Sequence, residues 1–333
     1  RDITAMSVGR VVYSAMCDAA GYMLDDGTIA RLGSEHFRCT SSEPWGAWIS
    51  RHGRGMDVTI EDTTDELAAL ALQGPRARAI LKSIVEFDMD RMRFFRVRST
   101  TLGGIPVQIS RTGYTGDLGY EIWMDKDKAV EVWDALMTAG RPHGMIPIGL
   151  DALDVSRIEA GFVLQGIDYV CADRCLIDAQ KSTPDDAGLG WTVDLDRAPF
   201  IGQAAIAAER QRDPTWDLVG LEISWPELES LYGEYGVPPH LAPVACRLAV
   251  PLYDAEGAQV GQATSTTWSP TTKRYLALGQ VRRPHNALGT ALQIEHTVEF
   301  ERRRIKATVV QTPFFDPPRK RSTPGAQKKE GAP

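Results

Sequence analysis

Arg111-Thr112-Gly113-Tyr114-Thr115-Gly116-Asp117-Leu118-Gly119-Tyr120-Glu121-Ile122 places three glycines, two tyrosines and two acids in twelve positions. Glycine lets backbone approach a ligand closely, and tyrosine supplies an aromatic face with a polar tip. The stretch therefore reads as a loop able to cradle a planar heterocycle. A phosphate loop is the first rival, but no Lys-Ser/Thr closes the stretch and no helix N-terminus follows at the required spacing. A plain strand-turn-strand is the second, and these residues alone leave it open.

Upstream, Phe95 to Thr100 and Ile105 to Ser110 read as a strand pair around Gly103-Gly104, two residues able to take positive φ in a tight turn. Leu67 to Leu72 is an apolar run ending at Gln73-Gly74-Pro75. Ala77, Ile80, Leu81 and Ile84 then recur at helical spacing, with Pro75 at a first helical position. Val11 to Met16, a turn at Asp18 to Gly21, and Met23 to Leu32 form a further hairpin, whose second arm carries the paired carboxylates Asp25 and Asp26. Neighbouring strand side chains point to opposite faces, so one of the two can look into a cavity while the other is solvated; an ordinary acidic turn is the plainer reading.

Downstream, Lys128 to Ala139 reads as a helix with the stripe Ala129, Val132, Trp133, Leu136 and Met137, and Gly140 stands where a C-terminal cap belongs. Gly149 to Ala160 reads as another, with Leu150, Leu153 and Ile158 on one side. After about residue 212 the helical period gives way to short β-type runs at Leu218 to Ile223, Val260 to Thr267, Tyr275 to Val281, Leu292 to Val298 and Ile305 to Gln311. These predict a small β domain with turns at Asp254 to Gly257 and His285 to Gly289. From Pro317 onward, Pro, Gly, Lys and Arg without periodicity predict a disordered tail.

At 333 residues and 43% hydrophobic, the chain can bury cores for two or three domains. A formal charge of −7 argues against a nucleic-acid footprint or a polybasic membrane surface. No apolar run approaches the roughly 18 residues needed to span a bilayer. The cysteines, Cys17, Cys39, Cys171, Cys175 and Cys246, are five and irregular, which fits a reducing compartment, with cytoplasm the default. Cys171 and Cys175 lack a second Cys/His pair at ligand spacing, so no metal is expected. The opening Arg1-Asp2-Ile3 reads like mid-domain sequence, from which processing or truncation upstream is expected.

Eight stretches stand in a meaningful order: Met16 to Asp26, Ala71 to Pro75, Arg111 to Gly116 with Gly119 to Ile122, and Arg157 to Gly161, followed by Thr183-Pro184 with Ala187 to Trp191, Phe200 to Gly202, Trp268 to Arg274, and Pro313-Phe314. Together they resemble the glycine-cleavage T-protein (aminomethyltransferase) family, in register through nearly the whole chain. The resemblance implies an α+β fold of two related antiparallel-sheet domains around a central folate hole, with a C-terminal β-barrel. It divides the chain into 1–120 (remnant of the first domain), 121–212 (second α+β segment), 213–316 (barrel) and 317–333 (tail). It further implies tetrahydrofolate as cofactor, Asp26 as the carboxylate beside its reactive nitrogens, and Tyr114 and Glu121 at pterin-contacting positions. The reaction implied is one-carbon transfer to folate N5 from a small-molecule donor or a lipoyl carrier protein.

Departures loosen the donor assignment. The family's Ala-Arg-Asp is here Ala152-Leu153-Asp154, and Ser41-Ser42 stands where an Asn is common. Asp25 to Leu32 also looks like the folate domains of sarcosine- and dimethylglycine-oxidising enzymes, and the insertion Ser224 to Tyr232 is similar to folate-dependent demethylases. The alternatives are a folate domain of a flavin-dependent amine oxidase and a non-catalytic folate-binding assembly factor. The latter's Lys-Gly-Cys-Tyr-type stretch reads here Gly161 to Gly166.

Overall fold

A computed structural model describes residues 2–212 and 215–324. The chain divides into two compact units, each discontinuous in sequence: one takes residues 3–13, 27–148 and the described part of 317–333, the other residues 1–2, 14–26 and 149–316.

The first strands are β1 (Val11–Cys17), β2 (Met23–Arg31) and β3 (Phe37–Ser41), a sheet of order β1-β2-β3 in which β2 and β3 pair antiparallel from Gly27↔Ser41 to Arg31↔Phe37. A short helix, α1 (Gly46–His52), buries none of its residues. The second sheet has the order β4-β7-β6-β5, from β4 (Leu67–Gln73), β5 (Val97–Leu102), β6 (Ile105–Ser110) and β7 (Gly119–Asp125). Gly103 and Gly104 both take positive φ, +57° and +84°, and close the β5–β6 hairpin as expected. The boundary expected at 120/121 falls inside β7.

Tyr120, Ile122 and Met124 of β7 point into a core shared with α2 (Ala77–Lys82) and α3 (Ala129–Gly140). Glu121 and Trp123 alternate to the other, half-buried face. Two details of α3 correct the expectation. Trp133 is 42% exposed rather than part of the buried stripe, which is Val132, Leu136 and Gly140. Gly140 is the last helical residue, packed where a Cβ would meet Met145 side-chain atoms at 2.4 to 2.8 Å, and Gly144 supplies the left-handed turn instead (φ +73°).

Residues 317–324, expected to be disordered, instead carry a 3₁₀ turn at Pro318–Lys320 and hydrogen-bond to the body of their unit. A buried guanidinium from Arg111 supplies the donors that composition did not reveal. Residues 325–333 of the expected tail lie outside the described residues.

In the other unit, α4 (Leu150–Glu159) and α5 (Gln203–Arg210) precede the barrel. Its strands are β8 (Trp216–Ile223), β9 (Val250–Tyr253), β10 (Gln259–Ser269), β11 (Arg274–Arg282), β12 (Ala291–Val298) and β13 (Glu301–Val310), and they close in the order β10-β11-β8-β13-β12-β9. The expected C-terminal barrel is thus present, filled by residues such as Leu221, Leu252, Ala263, Ala277, Leu292 and Val309. The insertion forms α6 (Trp225–Glu234): Ser224 caps it, Pro226 sits in its first turn, and Leu228, Leu231 and Tyr232 pack on the barrel core.

Leu150, expected on the buried side of α4, is 79% exposed. The buried face is Asp154, Arg157, Ile158 and Glu159. Arg157 donates to Asp154 (2.7 Å), to Asp168, and to Ser265 Oγ (2.8 Å), while Asp168 also accepts from the Ser265 hydroxyl (2.7 Å) and from Thr264. Glu159 accepts from Ser269 Oγ and from the Thr271 N–H (3.2 Å). The hydroxyl-rich strand β10 thus offers α4 donors and acceptors where an apolar helix would need only a flat surface.

Candidate functional site

The glycine-rich stretch takes its shape from Gln73, the last residue of β4, which pairs with Gly119 across the ladder. A Cβ on either Gly113 or Gly119 would lie 2.0 Å from Gln73 Oε1. Both positions must therefore be glycine for the glutamine to thread beneath the loop. There its amide donates to the carbonyls of Tyr120 (3.2 Å) and Thr112 (3.4 Å) and accepts from Thr115 Oγ1 (3.0 Å). One side chain thus ties both arms of the loop together.

Glu121 stands on β7 opposite Ser110 of β6. Its Oε2 accepts from Thr112 Oγ1 at 2.7 Å, and Ser110 Oγ lies 2.7 Å from Thr112 Oγ1 and 3.3 Å from the carboxylate. Each hydroxyl has one proton, so the chain runs from Ser110 to Thr112 to Glu121. Oε1 has no donor among the described residues. On the same face Arg38 donates to Gln108 Oε1 (2.7 Å) and stacks 4.1 Å from the centre of the Trp123 ring. Burial pulls the Arg38 pKa down and the nearby Glu121 charge opposes that pull. Tyr114 is half-buried at the loop's apex. This face combines an acceptor oxygen, a guanidinium and the Trp123 ring, a donor–acceptor set that fits a planar, N–H-bearing heterocycle.

The carboxylate pair lies on β2 in the other unit. Asp26 is half-buried, and the hydroxyl of the buried Tyr169 donates to its Oδ1. Asp25, expected to be the solvated partner, is 1% exposed, and its Oδ1 accepts the Asp26 N–H at 2.8 Å. The correction has a simple cause: the first residues of β2, Met23 to Asp25, are all buried, so strand alternation there leaves neither face to water. Gln165 donates to the Leu24 carbonyl (3.0 Å), fixing the strand near Tyr169. Sequence reasoning missed Tyr169. No sequence signal singles it out; the structure buries Asp168 and Tyr169 together, with Asp168 held by Arg157, Thr264 and Ser265.

The Cys175 thiol donates to the Cys171 carbonyl at 3.4 Å. Among the described residues no group of three or more His, Cys, Asp or Glu gathers as a metal site, and no helix is long and apolar enough to cross a membrane.

A family model described as the GCVT N-terminal domain matches residues 1–197, and one described as the glycine cleavage T-protein C-terminal barrel domain matches residues 237–316. The trimethylamine-oxide aldolase of Ruegeria pomeroyi is 34% identical over 334 residues, covering 96% of this chain, which spans 39% of that protein. The aminomethyltransferase of Halothermothrix orenii is 34% identical over 318 residues, covering 94% of this chain and 80% of that protein. Among solved structures, the glycine cleavage system aminomethyltransferase T of Bartonella henselae matches with a TM-score of 0.77 at 25% identity, over 95% of this chain and 79% of that one.

Proposed function

This chain belongs to the glycine cleavage T-protein family, and from that premise we propose that it is a tetrahydrofolate-dependent one-carbon transferase that moves a one-carbon unit to folate N5. The observation that carries the reading is Glu121: Thr112, itself accepting from Ser110, donates to one carboxylate oxygen, and among the described residues the other oxygen has no donor and can accept a pterin N–H. Tyr114 supplies a ring face for stacking. Bound tetrahydrofolate would supply the nucleophilic nitrogen. Asp26, oriented by the Tyr169 hydroxyl, would stabilise positive charge that develops on that nitrogen. The donor is a small methylated molecule or an aminomethyl-lipoyl carrier.

A second reading has one specific support. The match to the trimethylamine-oxide aldolase spans 96% of this chain but 39% of that protein, as a one-carbon-handling portion of a longer enzyme would. The folate domain of a multidomain, amine-processing enzyme is therefore the alternative.

Calorimetric titration with tetrahydrofolate tests the binding role. Glu121→Gln should weaken affinity by roughly tenfold, because a charge-assisted acceptor is lost. Asp26→Asn should leave affinity within a few-fold and lower turnover by roughly a hundredfold, in a donor screen with tetrahydrofolate as acceptor. Unchanged affinity in Glu121→Gln removes the pterin assignment; unchanged turnover in Asp26→Asn removes the catalytic one. The buried Asp25 is a poor control, and an exposed acid such as Asp178 is the better choice.

A further inference from the structure

Arg111 is 0% exposed, yet none of its hydrogen-bond acceptors is a carboxylate. Nη1 donates to the Met92 carbonyl (2.9 Å) and Thr323 Oγ1 (3.2 Å). Nη2 donates to the carbonyls of Arg319 (3.2 Å), Lys320 (3.0 Å) and Ser322 (2.7 Å). Nε has no partner. A buried guanidinium is costly unless its protons are satisfied, and four of these five acceptors belong to the stretch 319–323. The carbonyl ends of the 3₁₀ turn Pro318–Lys320 point their negative dipole ends at the charge.

The same stretch grips the other end of the glycine-rich loop. Arg319 donates to both oxygens of Asp117, each at 2.7 Å, and Asp117 Oδ1 also accepts the Leu118 N–H at 2.6 Å. Arg78 of α2 ties the stretch down again, donating to the Ser322 carbonyl (3.1 Å) and to the Tyr120 hydroxyl (3.2 Å). Arg111 immediately precedes Thr112, whose hydroxyl orients Glu121. A shift of Arg111 therefore reaches the carboxylate through one residue.

We propose that residues 317–324 form a clasp that sets the shape of the loop 112–118 by holding Arg111 at its start and Asp117 at its end, so that Arg111 and Arg319 are positioning residues for the ligand the loop takes. The identity of that ligand rests on the folate reading; the clasp does not. Simple tail packing would stabilise the chain without changing what the loop binds.

The test uses the full chain with Arg319→Ala and Arg319→Lys, reading amide hydrogen exchange across 112–118, tetrahydrofolate affinity and the thermal midpoint. Arg319→Ala should speed loop exchange and weaken folate binding by roughly fivefold, the scale of a partly exposed bidentate pair. Exchange in the barrel strands should stay unchanged. Arg319→Lys, which keeps the charge but not the fork, should recover to within about twofold. Arg111→Met should have the larger effect, and if it does not fold the Arg319 series decides alone. Unchanged loop exchange in Arg319→Ala overturns the clasp. Faster exchange with no folate binding even in the unsubstituted chain supports the clasp and removes the folate reading instead.

Discussion

The inward face of β7 and the inward face of α4 are buried to the same degree and held by opposite chemistry. Tyr120, Ile122 and Met124 are 0%, 0% and 2% exposed; Asp154, Arg157 and Glu159 are 5%, 0% and 4% exposed. The first face gains from removal of apolar surface from water at about 25 cal/mol per Å², which is non-directional and tolerates reshaping. The second must satisfy each charge by geometry, because an unpaired buried ion costs more than a contact returns. Burial alone therefore does not say how a face responds to change, and the partners do.

The largest expected effect breaks the charged face. Arg157→Met leaves Asp168 to the Thr264 and Ser265 hydroxyls and the Leu164 N–H, and Asp154 to Arg247, and should cost about 3–5 kcal/mol in denaturant unfolding. Ile122→Val on the apolar face should cost about 1 kcal/mol. Equal costs would mean that the two faces are not held differently.

An intermediate effect is expected where a polar side chain is packed between glycines. Gly113→Ala drives a methyl onto Gln73 Oε1 and should cost about 1–3 kcal/mol. Gln73→Ala in the same chain should recover part of that loss, with a coupling energy of at least about 1 kcal/mol by a double-mutant cycle. Additive losses would mean that the two side chains do not share the space.

The smallest effect sharpens the comparison within the barrel. Burial pushes the His296 imidazole below its ordinary value. Tyr232 gives its one proton to the His240 carbonyl (2.7 Å), so His296 Nε2–H donates to Tyr232 (3.2 Å). The folded pKa lies below the unfolded one, so the stability this residue contributes is present above the unfolded value and is lost as pH falls through it towards the folded one. Unfolding free energy should therefore fall more steeply from about pH 7 to about pH 5 in the unsubstituted chain than in His296→Gln. Parallel slopes would place the titration elsewhere.

The same contrast explains what the sequence made legible. β11 and β13 were visible as runs because their buried positions are apolar, and the glycine pair at 103–104 announced its turn. β9 was not, since Val250–Tyr253 is too short for a period and contains Pro251. α6 was hidden by Trp225 and Pro226, which look like a turn until Ser224 is seen to cap them. The inward side of α4 is concealed in the sequence because charge there mimics an exposed face, which makes Leu150 look like the core residue. In the candidate site, Tyr114 and Glu121 stood out through their glycine-rich context. Tyr169 had no such context, because its meaning depends on Asp26, more than a hundred positions away in the chain.

Four of the five acceptors of Arg111 lie 208 to 212 positions downstream of it. At typical rates of synthesis the ribosome needs roughly ten to forty seconds to reach them. Throughout that interval the Arg111 guanidinium lacks four of its five acceptors. A chain released between Val310, the end of the last barrel strand, and Arg319 would have every strand of its barrel and none of these downstream acceptors.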